Sequence, residues 1–130
     1  MVFPQNKTIS RARTTKQMGD AAEDAALQHL QKAGLRLLER NYRTPGRGGG
    51  EIDLVMQTPD GTTVFVEVRQ RTNTHHGGAA ASVGGAKQRR IVFAARHYLM
   101  RLREPPPCRF DVVLLEPGGI EWLQAAFDAY

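Results

Sequence analysis

Between Gly48 and Arg71 the sequence places four acidic residues and two arginines inside what otherwise reads as a β-hairpin, G-G-G-E-I-D-L-V-M-Q-T-P-D-G-T-T-V-F-V-E-V-R-Q-R. At strand period Glu51, Asp53 and Val55 fall on one face of the first arm, and the apolar Ile52, Leu54 and Met56 on the other. In the second arm Val64, Val66 and Val68 share a face, with Phe65, Glu67, Arg69 and Arg71 opposite. A strand that buries its valines has no packing reason to carry a carboxylate between Val66 and Val68. Two carboxylates converging from adjacent strands can hold a hard, oxygen-liganded cation such as Mg²⁺, which offsets charge on a phosphate and lowers the pKa of water. Asp53 and Glu67 have that relation. Arg69, two positions beyond Glu67 on the same face, is placed to orient water and stabilise a developing phosphorane. This pattern makes mechanical sense for phosphodiester hydrolysis, and the helices that bring Glu23 and Lys87 strengthen it.

Parity constrains the turn that joins the two arms. For Asp53 and Glu67 to be directly opposed, the register must centre on Asp60 and the loop must hold an odd number of residues. A two-residue Asp60-Gly61 turn would oppose Asp53 to Val68 and separate the carboxylates. The odd loop is the expectation.

Two helices are expected to flank this hairpin. From about Met18 to Ala33, Ala22, Ala26, Leu27, Leu30 and Ala33 recur at helical spacing, and Gly34 follows as a stop. Glu23 lies in line with Leu27 and Leu30. It is either a buried acid that needs a partner, a metal or a proton, or an edge glutamate favoured by the helix dipole. A second helix, about Ala86 to Arg103, puts Ile91, Ala94, Tyr98 and Leu102 on one stripe and Arg89, Arg96 and Arg103 on the opposite side. Lys87 heads the apolar stripe, where its ammonium can reach the site or simply cover Ile91. The outer arginines form a solvated face or contact phosphate, and Arg71, Arg89 and Arg96 are the candidate nucleic-acid contacts.

The remaining segments frame these elements. Leu35 to Tyr42 reads as a first strand, and Thr44 to Gly50 as a glycine-rich loop lending flexibility beside the site; a strand follows it, so it is no phosphate cradle of the P-loop kind. Thr72 to Gly85, with His75 and His76, reads as a mobile flap, and adjacent histidines point to different sides of an extended chain. After Pro105-Pro106-Pro107, the run Val112-Val113-Leu114-Leu115 marks a buried strand, expected to lie parallel to Val64–Arg69 across a right-handed connection. A short strand at Ile120 to Leu123 and a last turn of helix complete the expectation.

With 130 residues, one domain is expected: a flexible basic extension over 1–17, free of acidic residues, and a single unit over 18–130. A net charge of +5 and a pI near 9.9 favour a polyanionic partner. The one cysteine, Cys108, reads as a small buried hydrophobe in a reducing compartment, which points to the cytoplasm. The apolar runs fall short of a membrane span, and the first residues lack the hydrophobic segment of a secretory signal.

Several motifs in order resemble the PD-(D/E)XK nuclease superfamily. Within it they resemble the bacterial YraN-like family of endonuclease-like proteins, itself similar to archaeal Holliday-junction resolvases. They are M-G-D-A-A-E (18–23), R-N-Y-R (40–43), G-E-I-D-L (50–54), F-V-E-V-R-Q-R (65–71), Lys87 and R-F-D-V-V (109–113), spanning Met18 to about Leu123. The resemblance implies an α/β restriction-endonuclease-like fold, a mixed β-sheet flanked by helices. It also implies Asp53 and Glu67 as ligands of Mg²⁺ or Mn²⁺, the Val68 carbonyl as a third, and Glu23 as an outer or water-mediated one. The implied partner is nucleic acid, DNA ahead of RNA, with no membrane and a homodimer as the conceivable assembly. The superfamily pattern has lysine where this chain has Arg69. Arginine keeps the charge but stays protonated, so it cannot take a proton from water; Lys87 is the candidate substitute. The competing expectation is a noncatalytic nucleic-acid-binding module in which Asp53, Glu67 and Arg69 form a structural ion-pair network.

Overall fold

A computed structural model of the protein describes residues 15–71 and 83–129. The expected flap with His75 and His76, and the first 14 residues of the basic extension, lie outside that set.

Alternating apolar residues fold the centre of the chain into the expected hairpin. Strand β1 (Arg36–Arg43) precedes β2 (Glu51–Gln57) and β3 (Thr63–Gln70). The pairs Leu54↔Val66, Val55↔Phe65, Met56↔Val64 and Gln57↔Thr63 centre the register on Asp60 and leave the loop 58–62, an odd number of residues. Thr58 N–H donates to the Thr62 carbonyl at 2.9 Å and closes it.

Helix α1 (Thr15–Lys32) comes before the hairpin, and α2 (Gly85–Leu99) connects β3 to β4 (Cys108–Glu116). Strand β5 (Gly119–Phe127) ends a five-stranded sheet of order β1-β2-β3-β4-β5. As expected, β3 and β4 run parallel, with Glu67 beside Val112; the other pairs are antiparallel. The apolar run of β4 is explained by a helix on each face of the sheet. On one side Ala26 and Leu30 of α1 pack against Leu54, Met56, Val64, Val66 and Val113. On the other, Ile91, Ala94, Ala95 and Tyr98 of α2 pack against Tyr42, Ile52, Phe65 and Phe110. Leu30, Phe65 and Ile91 are at most 1% exposed, and each such burial stabilises the fold by about 1.5–3 kcal/mol.

Several element ends depart from expectation. Helix α1 begins at Thr15, so the last three residues of the expected extension are helical, supported by the Lys16–Asp20 pair one turn apart. It stops at Gly34, whose φ of +100° lets Leu35 N–H reach back to the Leu30 carbonyl at 3.0 Å; Ala33 is consequently exposed rather than part of the stripe. Helix α2 ends at Leu99, not Arg103. Arg101 is drawn over the Tyr98 ring, 4.9 Å to its centroid, and onto Glu39 at 3.1 Å, leaving Leu102 exposed and Arg103 off the helix. The C-terminal turn of helix is absent among the described residues, because β5 runs on to Phe127, which stacks on Phe110. Cys108 is exposed, not buried, since it opens β4 before the strand enters the layers.

One expectation about faces also fails. Leu54 and Met56 face α1, but Ile52 faces α2 together with Tyr42. On β1 the same exchange separates Arg40, bonded to α1, from Tyr42. Both strands trade faces at one rung, where Asn41 lies opposite Asp53 and adopts a left-handed φ of 54°. Among the described residues the other non-glycine residue in that conformation is Ala125, φ 51°, on β5. There Asp111, 0% exposed, accepts from Ala125 N–H (2.9 Å), the Trp122 indole (2.9 Å) and the Arg109 guanidinium (3.0 and 3.1 Å).

Candidate active site

The site forms where the β2–β3 ladder stops. Leu54↔Val66 is the last pair, and the same register sets Asp53 opposite Glu67. Thr63 and Arg71 direct their N–H groups to β4, so the alternate residues Val66 and Val68 direct theirs to β2. Beyond the last rung a side chain replaces the missing strand: Val68 N–H donates to Asp53 Oδ2 at 2.8 Å. The Val68 carbonyl points the same way.

The electrostatics follow from that geometry. Burial, then the charge of Glu67, raises Asp53 from 3.8 to about 7, against the opposing Val68 hydrogen bond. Burial also raises Glu67, while Lys87 and Arg69 pull it down and a hydrogen bond joins the two carboxyls. Glu67 is buried, and Lys87, 41% exposed, holds its Nζ 3.6 Å from Glu67 Oε2. Lys87 therefore reaches the site as well as covering the helix start. Arg69 makes no ion pair among the described residues, and it acts on Glu67 through its charge.

Glu23 approaches from α1. It is half-buried, and it bonds Arg40 Nε at 3.3 Å and the Asn41 side chain. Burial and the Asp53 charge raise its pKa, and Arg40 opposes them. Neither Arg40, Asn41 nor Glu51, which also raises Asp53, was singled out from the sequence as a site residue. The Arg40-Asn41 pair within R-N-Y-R, with asparagine's tolerance of left-handed backbone, was the available signal.

Two cavities flank the acidic pair. One, about 530 Å³, is lined by Glu67, Val68, Arg69, Gln70, Gly84 and Lys87. The other, about 400 Å³, lies between α2 and the loop joining β1 to β2, and Lys87 lines both. That loop is not slack. Gly50 N–H donates to Thr44 Oγ1 at 2.7 Å, Thr44 N–H donates to the Gly50 carbonyl at 3.0 Å, and a Cβ on Gly50 would meet the Arg90 carbonyl at 1.9 Å.

The expected nucleic-acid contacts divide. Arg71 is ion-paired to Glu116 at the end of β4, whereas Arg89 and Arg96 are exposed on the outer face of α2 beside Phe93, itself 53% exposed. Among the described residues no three His, Cys, Asp or Glu side chains converge into a metal-ligand cluster. No helix among them is long and apolar enough to cross a membrane.

Curated relatives match nearly the whole chain. A UPF0102 protein of Albidiferax ferrireducens is 76% identical over 129 residues, 99% of each chain. One from Paracidovorax citrulli is 68% identical over 120 residues, covering 92% of this chain and 89% of its own. A third, from Cupriavidus necator, is 58% identical over 126 residues, covering 97% and 94%. The sequence profile of the uncharacterised protein family UPF0102 matches residues 22–115, a span that contains Glu23, Asp53, Glu67, Arg69 and Lys87; the chain belongs to that family.

Proposed function

We propose that this protein is a cytoplasmic, metal-dependent nuclease of restriction-endonuclease-like fold. It hydrolyses phosphodiester bonds of DNA, with branched or single-strand-containing DNA preferred, as the resemblance to junction resolvases suggests. The observation that carries the reading is the carboxyl pair: Asp53 and Glu67 are opposed at the broken rung, and each is raised by burial in spite of the donors around it. A fold gains nothing from holding two acids together in a half-dry cleft, whereas a cation site requires it.

The donor set suits Mg²⁺ or Mn²⁺. Two carboxylates and the Val68 carbonyl are hard oxygen donors, and Mg²⁺ commonly takes one or two carboxylates while keeping its own waters. The lack of a third close acid is thus compatible with Mg²⁺, and Glu23, engaged by Arg40, fits an outer position. When bound, the cation offsets charge on the phosphate and lowers the pKa of water. Lys87 balances Glu67 and presents an ammonium to the cleft. A guanidinium is no proton acceptor, so the role of Arg69 is attraction of phosphate, not proton removal.

That substitution favours a second reading, a noncatalytic nucleic-acid-binding module. The test compares Mg²⁺- or Mn²⁺-dependent cleavage of branched, single-stranded and duplex DNA by the parent, Asp53→Ala and Glu67→Ala proteins, with metal binding followed by calorimetry. Either substitution is expected to reduce cleavage by about 10³-fold or more and to abolish the metal heat, while binding of DNA is kept or strengthened. No cleavage by the parent with either metal, together with unchanged DNA binding by Asp53→Ala, would replace the nuclease by the binding module.

A further inference from the structure

We infer that the basin between the Thr44–Gly50 loop and α2 is a phosphate subsite, which takes the phosphate next to the scissile one on the same polynucleotide strand. The inference rests on the nuclease reading for the word scissile, but the basin's own chemistry is independent of it. Arg43, Lys87 and Arg90 line the cavity with Glu51 as the acid in its lining. Arg43 is 3.5 Å from Glu51 and Lys87 is turned to Glu67, while Arg90 has no ion-pair partner among the described residues. Three cations against one acid give the basin a positive field, and Arg90 is the cation in it that no carboxylate already meets. An anion in the basin would meet that charge.

The basin is also held in shape. Besides the Thr44–Gly50 hydrogen bonds, a Cβ on Gly49 would meet Thr44 Oγ1 at 2.3 Å, and Gly50 is pressed on the backbone of α2 at Arg90. Only glycine permits both approaches, so Gly49 sets a close turn over Thr44 and Gly50 a close packing against α2 instead of providing slack. A cavity of about 400 Å³ accommodates a phosphate group with attendant water. Glu51 at its rim is two residues from Asp53, roughly 6–7 Å along a strand. That separation is comparable with the step from one phosphate to the next in a polynucleotide. Lys87, which lines both cavities, stands between the two positions.

The phosphate has two sources: an internal diester of a continuous strand, or the terminal monoester of a strand end. Amide chemical shifts of the full chain are followed during titration with inorganic phosphate, without divalent metal. Affinities are then measured for one short oligonucleotide carrying a 5′-hydroxyl, a 5′-phosphate or a 3′-phosphate. Phosphate is expected to move the amides of Gly46, Gly49, Gly50 and Arg90 first. Arg90→Gln should weaken oligonucleotide binding by about tenfold, the loss of one charge-assisted contact. Arg36→Gln, the same charge change at the far end of β1, should weaken it less than about twofold. A terminal phosphate that tightens binding in the parent but not in Arg90→Gln assigns the strand end; equal affinities assign the internal diester. Shifts confined to the Arg89 and Arg96 face, or equal losses for Arg90→Gln and Arg36→Gln, overturn the subsite. Cleavage does not enter these measurements, so absence of nuclease activity with an intact phosphate response defeats the nuclease reading alone.

Discussion

Asp111 and Asp53 are acids on strands of the same sheet, yet their surroundings are opposite. Asp111 has no exposed surface and is met by the Arg109 guanidinium, the Trp122 indole and the Ala125 N–H, so every neighbour donates. Asp53 receives one N–H, from Val68, and otherwise faces Glu67, with the charges of Glu51 and Glu23 nearby. The first arrangement is complete within the protein, because a desolvated carboxylate is tolerated when donors saturate it. The second sets one carboxyl against another, with a single backbone donor to Asp53. Both acids sit in motifs of similar weight in the sequence, D-L-V after Ile52 and D-V-V after Phe110, and only their partners distinguish anchor from site.

The largest effect should come from the anchor. Asp111→Ala leaves the Arg109 charge, the Trp122 indole and the Ala125 N–H without their acceptor, and should cost about 3–5 kcal/mol. Urea unfolding measures it; a cost below about 1 kcal/mol would erase the contrast. At Asp53 the sign should reverse. A carboxyl whose pKa is raised on folding binds more protons in the folded state, so its contribution falls as pH rises. Asp53 moves from 3.8 to about 7, which puts the loss between about pH 4 and 7 and makes it complete above that. At roughly 1.4 kcal/mol per unit the ceiling is about 4 kcal/mol, and partial solvent access reduces it to about 1–3. Asp53→Asn keeps the acceptor for Val68 N–H and removes the charge. It should therefore be more stable than the parent by about 1–3 kcal/mol at pH 8 and indistinguishable from it below pH 4. Parallel stability–pH curves for the two proteins would contradict the repulsion. The smallest effect is expected at Arg69. With no ion pair among the described residues, Arg69→Lys should change unfolding stability by less than about 0.5 kcal/mol and keep cleavage at or above the parent rate. A larger loss of stability would restore the structural network.

The supposition that Asp53 and Glu67 are opposed called for an odd loop, and the register centred on Asp60 has one. Strand period was not sufficient for Ile52. The face exchange depends on a left-handed Asn41 in the neighbouring strand, and no period within β2 reports it. Helix stripes located Glu23 and Lys87 but not the end of α2, which is set by contacts of Arg101 with Tyr98 and Glu39 from distant parts of the chain. The glycine-rich loop suggested slack, and its role became visible only with the Arg90 carbonyl against Gly50. Composition reports a glycine's freedom and leaves unstated whether close packing has already used it.

Among the described residues the two left-handed non-glycine positions fall on β1 and β5, the strands at the two ends of the sheet. An unpaired strand edge is a template for joining other chains into continuous sheets, and natural proteins blunt it with kinks and charges. Ala125 occupies a conformation that costs an L-residue about 1–2 kcal/mol, and a register shift in the β4–β5 pairing lies beside it. Beside Asn41, Arg36, Glu39, Arg40 and Arg43 add charges along the other border. The kinks at both borders and the charges along β1 oppose ribbon-like growth and fibrillar association by lengthening of the sheet.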